Sequence, residues 1–232
     1  MEKKPGKMDN ESNNILATKE DTMLIHPTSI NINGITIPEK GQTIHFGNCK
    51  WRVLDVQNDE ALILSETVIE KRRYHYSFSS ITWSTSELRN YLNNTFYNTF
   101  ILQEKLLISE KRITTYNNPW FGTNGGEDTY DRIFLLSIEE LVHYFGDSKQ
   151  LSGRPNGAFW INDEYNSRRI AVDANHKESW WWLRSPGYLP DVATIVSTDG
   201  IVVIGNNYRT SSPDGGVRPA LWLSLSPILN AL

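Results

Sequence analysis

A chain of 232 residues with 39% apolar and 22% charged residues and a mean hydropathy of -0.45 has the make-up of a globular domain with a sizeable core, with or without an appendage. Its 23 basic and 27 acidic residues give a net charge of -4, which argues against nucleic acid and anionic lipid as partners, and no run nears the roughly 18–20 apolar residues of a membrane span. The single cysteine, Cys49, excludes an internal disulfide framework and a cysteine-based zinc site, while 8 Trp, 10 Tyr and 8 Phe set the chain apart.

Residues 1–22 mix Lys, Glu, Asn and Ser with little apolar content and read as a disordered tail, since they bury too little to offset the entropy of ordering. The basic start at Lys3, Lys4 and Lys7 is broken by Asp9 to Ser12 before any apolar stretch, so no signal peptide is expected and the cytoplasm is the default compartment. Residues 23–40 read equally as a linker or as a small hairpin turning at Asn33-Gly34. Residues 1–40 are thus tail and linker, and 41–226 the domain.

Short extended runs follow at Thr43 to Phe46 and Cys49 to Val56, joined through Gly47-Asn48 and alternating with the period of a strand. Ala61 to Ser65 is a near-continuous apolar run, as in a sheet buried on both faces. Ser84-x-x-Glu87 has capping-box spacing, and Leu88, Tyr91, Leu92 and Phe96 recur at helical intervals behind it, with Phe100 and Leu107 extending the same core. Lys111 to Tyr116 predicts a strand, 117–128 a surface loop rich in Asn, Gly and Pro, and Ile133 to Leu136 a buried strand. Ser137-x-x-Glu140 caps a second helix that Gly146 ends. Residues 146–179 are polar and irregular, a length that in compact domains marks function or disorder. Strands are predicted again at Trp180 to Arg184, Ala193 to Ser197, Ile201 to Ile204 and Val217 to Leu223. Strands, then helices, then strands give an α+β fold, a single mixed domain behind a disordered tail.

The series Trp51-Arg52-Val53-Leu54-Asp55, Leu62 to Glu66, Thr82 to Arg89, Tyr91 to Tyr97, Asp131 to Ser137, Trp182-Leu183-Arg184-Ser185-Pro186-Gly187 and Gly216-Val217-Arg218-Pro219-Ala220-Leu221 resembles, in order and spacing, a bacterial domain family of unknown function. The resemblance covers about residues 44–225 and carries no activity with it. The closing pattern of an Arg-Ser strand, a Gly-turned hairpin and a Val-Arg-Pro strand is more loosely similar to C-type-lectin-like domains, including the formylglycine-generating-enzyme branch, and implies a C-type-lectin-like fold. That branch uses a cysteine pair, which this chain lacks. Lectin-type calcium sites need several side-chain oxygens, and their nearest counterpart is Trp160-Ile161-Asn162-Asp163-Glu164, ahead of the Trp strand.

Three consecutive tryptophans in a strand cannot share one face. Trp181 is expected to face outward as a stacking surface, with Trp180 and Trp182 in the core; the competing reading is that loop 146–179 covers both faces. Arg184 and Arg218, at matching strand positions, either line one cleft for a carboxylate or phosphate or hold loop carbonyls and pair with acids such as Asp131 or Asp173. The five histidines never reach metal-ligand spacing, and Gly125-Gly126 lacks the Lys-Ser/Thr of a phosphate loop, so neither metal nor cofactor is expected. The sequence therefore predicts a non-catalytic recognition module for a glycan or a protein surface, binding through Trp181, Arg184, Arg218, Trp160, Asp163 and His176. The alternatives are an enzyme using the Arg184/Arg218 cleft with Asp173, His176 or Asp131 as acid or base, and a scaffold with a tryptophan interface.

Overall fold

The computed structural model describes residues 38–77, 79–205 and 208–226; the tail and the Asn33-Gly34 turn lie outside them. In chain order the strands are β1 (Thr43–Phe46), β2 (Cys49–Gln57), β3 (Glu60–Ser65), β4 (Glu70–Lys71), β5 (Ile108–Ser109), β6 (Lys111–Ile113), β7 (Thr129–Asp131), β8 (Trp160–Ile161), β9 (Trp181–Pro186), β10 (Ala193–Val196), β11 (Val202–Val203), β12 (Gly216–Val217) and β13 (Ala220–Ser224). The helices are α1 (Glu87–Tyr91), α2 (Leu102–Lys105), α3 (Ile138–Phe145) and α4 (Asn166–Arg169), with a π turn at Leu92–Phe96 and a 3-10 turn at Tyr97–Thr99 continuing α1. The fold is α+β and mostly strand. None of the helices among the described residues is long and apolar enough to cross a membrane.

β1, β2, β3, β13 and β5 form an antiparallel sheet in that order. Asn58 and Asp59 both take positive φ, 49° and 61°, the backbone a two-residue hairpin demands between right-twisted strands. The alternation of β2 breaks at Leu54, where Val53 pairs Ile63 and Asp55 pairs Leu62; Leu54 bulges, so Val53 and Leu54 are both buried. A second sheet runs β4-β12-β9-β10-β11-β8, antiparallel except for the parallel β12/β9 contact. β6 and β7 form a separate ribbon.

The two large sheets share one core, with Trp51, Ile63 and Leu221 from the first and Trp181, Ile195 and Val217 from the second in a single cluster. The predicted strand Val217 to Leu223 is two: β12 belongs to one sheet and β13 to the other, because Pro219 has no N–H for a continuous ladder and Arg218 turns its guanidinium onto the Ser65 carbonyl. Gly215 permits the crossing, since a Cβ there would lie 1.9 Å from Trp182 Nε1. Ile133 to Leu136, also a predicted strand, is buried but pairs only through Phe134 and Ala220. Its next carbonyls serve Arg184 instead: Leu135 O accepts from Nη1 at 2.7 Å and Leu136 O from the Arg184 backbone N–H at 2.9 Å.

At the first helix the expected cap is corrected. Ser86, not Ser84, caps α1 by accepting from Arg89 N at 3.2 Å, and the Glu87 carboxylate turns away to accept from Tyr76 N at 3.1 Å. The second capping box forms as read: Ser137 Oγ accepts from Glu140 N at 3.2 Å and Glu140 Oε2 accepts from Ser137 N at 2.9 Å. Gly146 ends α3 at φ 128°, with the Tyr165 ring packed where a Cβ would stand.

Candidate functional site

The outward-facing Trp181 is overturned: Trp181 and Trp182 are both fully buried, and Trp180 is the partly exposed one. β9 is an interior strand, flanked by β12 and β10, and each of its faces carries its own cover. On one face Trp181 Nε1 donates to the Arg169 carbonyl of α4 at 3.1 Å, and the Arg218 guanidinium lies 4.9 Å from the Trp181 ring. On the other, Trp182 Nε1 donates to Arg72 O at 2.9 Å, and its ring meets Tyr74 and Trp180 edge-on at 5.8 and 4.8 Å.

Three of the sequence-predicted residues do come together, but under the surface. Asp163 pairs with the fully buried Arg169, Nη1 to Oδ1 at 2.9 Å; Arg169 carries the Trp181 indole on its carbonyl, and Trp181 stacks on Arg218. Asp163 also accepts from Ser148 Oγ at 2.6 Å and Tyr165 N at 3.0 Å, so its oxygens are already occupied. Burial alone would raise its pKa, yet Arg169, Ser148 and the Tyr165 N–H together hold it below the usual carboxylate range. Arg218 donates from Nε to Ser65 O at 2.9 Å and has no carboxylate partner within ion-pair reach among the described residues; burial, with the nearby Arg52 charge, pushes its pKa down to about 9 despite Glu66. His176 stands exposed, at φ 59°, in a turn held by Asp173, whose carboxylate accepts from the N–H groups of Asn175 and Lys177.

Arg184 lies elsewhere. Its acid is Glu140, neither Asp131 nor Asp173, and it also holds the carbonyls of Leu135 and Thr114, fastening β9 to α3 and to the segment after β6. Asp131 serves a second clasp: it is fully buried and accepts from Arg89 Nε at 2.7 Å, Trp83 Nε1 at 2.8 Å and Thr129 Oγ1 at 2.7 Å. Arg184 and Glu140 form part of a cleft of about 390 Å³, within the roughly 300–1,000 Å³ of small-molecule sites. Its lining includes Glu60, Lys111, Tyr116, Glu139 and Trp222; Arg218 does not reach it.

A second surface is aromatic. Phe121, Phe159 and Tyr188 make mutual ring contacts at 5.7, 5.8 and 6.5 Å, and Phe159 is 40% exposed. The guanidinium of Arg154 lies 4.4 Å from the Phe121 ring and 5.7 Å from that of Phe159. Arg154 donates from Nε to Ala158 O and from Nη1 to Trp120 O, and no described residue takes Nη2. Buried Asn118 fixes the loop beneath: its Oδ1 accepts from Trp120 N and Phe121 N, and its Nδ2 donates to Pro186 O at 2.8 Å, at the end of β9. Trp160 flanks this patch, 49% exposed, but joins none of its ring contacts. Sequence reading reached Trp160 and missed Arg154, Phe121, Phe159 and Tyr188; the available signal was aromatic residues inside otherwise polar loops.

A polar relay occupies the loop before α1. His75 Nε2 lies 3.0 Å from Ser77 Oγ, and the Glu87 carboxylate is against His75 Nδ1. Burial holds His75 below its ordinary pKa. Neither His75 nor Ser77 lines the cleft.

The family described as a domain of unknown function (DUF6273) matches residues 58–225, well over half of the chain and including both arginine clasps, though β1 and β2 precede the match. No curated protein and no solved structure matches the chain.

Proposed function

This chain belongs to the DUF6273 family, and we propose that it is a non-catalytic recognition module whose ligand is a glycan. The observation that carries the reading is the patch of Phe121, Phe159 and Tyr188 around Arg154. The exposed Phe159 ring, backed by half-buried Phe121 and Tyr188, can stack on the C–H face of a sugar, and the Arg154 Nη2 that meets no described residue is a donor for a hydroxyl. Half a dozen side chains fall well short of the roughly 20–30 residues per side of a stable protein interface, which favours a small ligand over a protein surface. Of the residues read from sequence, Trp160 belongs at the rim of this site, and Arg184 belongs to the cleft. The C-type-lectin-like kinship is part of the proposal, supported by the order of β9, the Gly-turned β10/β11 hairpin and the Val217-Arg218-Pro219 segment.

The test is affinity electrophoresis and calorimetry against a panel of soluble polysaccharides and oligosaccharides. Binding by the wild type that is lost in Phe159→Ala with unfolding unchanged supports the reading; no binding across the panel, or equal binding by the variant, overturns it. The enzyme alternative has its best footing at the Glu87-His75-Ser77 relay rather than at the arginines, and stoichiometric labelling of Ser77 by a fluorophosphonate would displace the non-catalytic reading.

A further inference from the structure

We propose that the cleft beside Arg184 is a second, independent site that binds a cationic group on a flexible stem, an ammonium or guanidinium carried by a lysine or arginine side chain or by a free polyamine. The charges of the cleft lead there. Lys111 is paired with Glu60, Arg184 with Glu140, and Arg112 with Asp128 just outside. Every cation of the lining therefore has its carboxylate, and an anionic ligand would meet no free partner. Glu139 is the charge left over: among the described residues it makes no ion pair and accepts no hydrogen bond, and its Oε2 is sealed from solvent.

A carboxylate oxygen buried without a donor is unfavourable, and a donor supplied by a ligand relieves that penalty. The place of Glu139 in the first turn of α3 accounts for a negative charge there but not for the unmet oxygen, because a helix-end acid does its work from water. Tyr116, 61% exposed at the same cleft, offers a ring face to a cation, and Trp222 already carries one in Lys111 Nζ, 5.8 Å from its ring. The aliphatic stem then runs past Ile113 and the Trp222 edge.

The full chain would be titrated with cadaverine and with N-acetyl-lysine methylamide, followed by amide NMR shifts, with N-acetyl-norleucine methylamide as the uncharged control. The expected result is saturable shifts around Glu139 and Tyr116 with the cationic probes alone; the stronger of the two identifies a free amine or a peptide side chain as the source. Glu139→Gln should weaken binding about tenfold, the scale of one charge-assisted hydrogen bond. Tyr116→Ala should weaken it by a smaller factor, and Glu127→Gln, at an exposed acid outside the cleft, should leave it unchanged. No saturable binding, equal response to the uncharged probe, or equal weakening by Glu127→Gln and Glu139→Gln overturns the proposal. None of these outcomes depends on whether Phe159 binds a glycan.

Discussion

Truncation of the three tryptophans, one at a time, tests how β9 is covered. The Trp181 ring is fully buried, and a ring of that size removes about 200 Å² from water, worth roughly 5 kcal/mol at about 25 cal/mol per Å². Core Trp→Ala changes fall at about 3–5 kcal/mol. Trp181→Ala should reach the upper end, because it also leaves the Arg169 carbonyl without its indole donor and opens a void beside the buried Arg218. Trp182→Ala should match it through the loss of the Arg72 carbonyl bond and the Tyr74 edge contact. Trp180, partly exposed against Tyr208, should cost about half as much. At roughly 2–4 °C per kcal/mol for a domain of this size, the two buried positions shift the midpoint by about 6–20 °C. Far-UV circular dichroism is the assay, since each variant removes a fluorophore. A loss at Trp181 or Trp182 no larger than about 1 kcal/mol, or a smaller loss at Trp181 than at Trp180, would refute the account of a strand covered on both faces.

Two further changes probe the clasps. Asp131→Asn puts an amide donor among three donors, from Arg89, Trp83 and Thr129, and should cost about 3–5 kcal/mol in urea unfolding; a loss under about 1 kcal/mol would mean the clasp is dispensable. Asp163 has a folded pKa below its unfolded value near 3.9, so its contribution is fully present above that value and is lost as pH falls through the folded pKa. The stability gap between wild type and Asp163→Asn, measured by urea midpoint from pH 6 to pH 2.5, should therefore be wide at pH 6 and close below about pH 4; a gap independent of pH would contradict this.

Local chemistry was legible where it faced no competitor. The period-two runs joined through Gly47-Asn48 fixed the first hairpin, and the Ser137/Glu140 box fixed α3, because those signals involve residues within a few positions of each other. At Ser84 the same spacing misled, since Ser86 stood equally ready to cap and Glu87 had a longer-range partner in the His75 loop. Ile133 to Leu136 has the apolar content of a strand, but the side chain and N–H of Arg184, some 50 residues later, take the carbonyls a ladder would use. Trp181 failed for the same reason: alternation says that neighbouring rings oppose each other, not that one of them meets water. The cleft was half legible, through Arg184; Glu139 and Tyr116 acquire meaning only once β6, α3 and β13 converge.

The crossing at Arg218-Pro219 also bears on how the molecule is made. β12 lies between β4 and β9, and β13 lies between β3 and β5, so each large sheet has a gap that only residues 216–224 fill. A nascent chain emerging in order from a ribosome has β3, β4, β5 and β9 exposed with bare edges until that last segment arrives, and it must then complete both sheets in one stroke. Stopping translation ahead of Gly216 leaves two open half-sheets rather than a smaller domain, and such products are substrates for holdase chaperones and proteases rather than for independent folding.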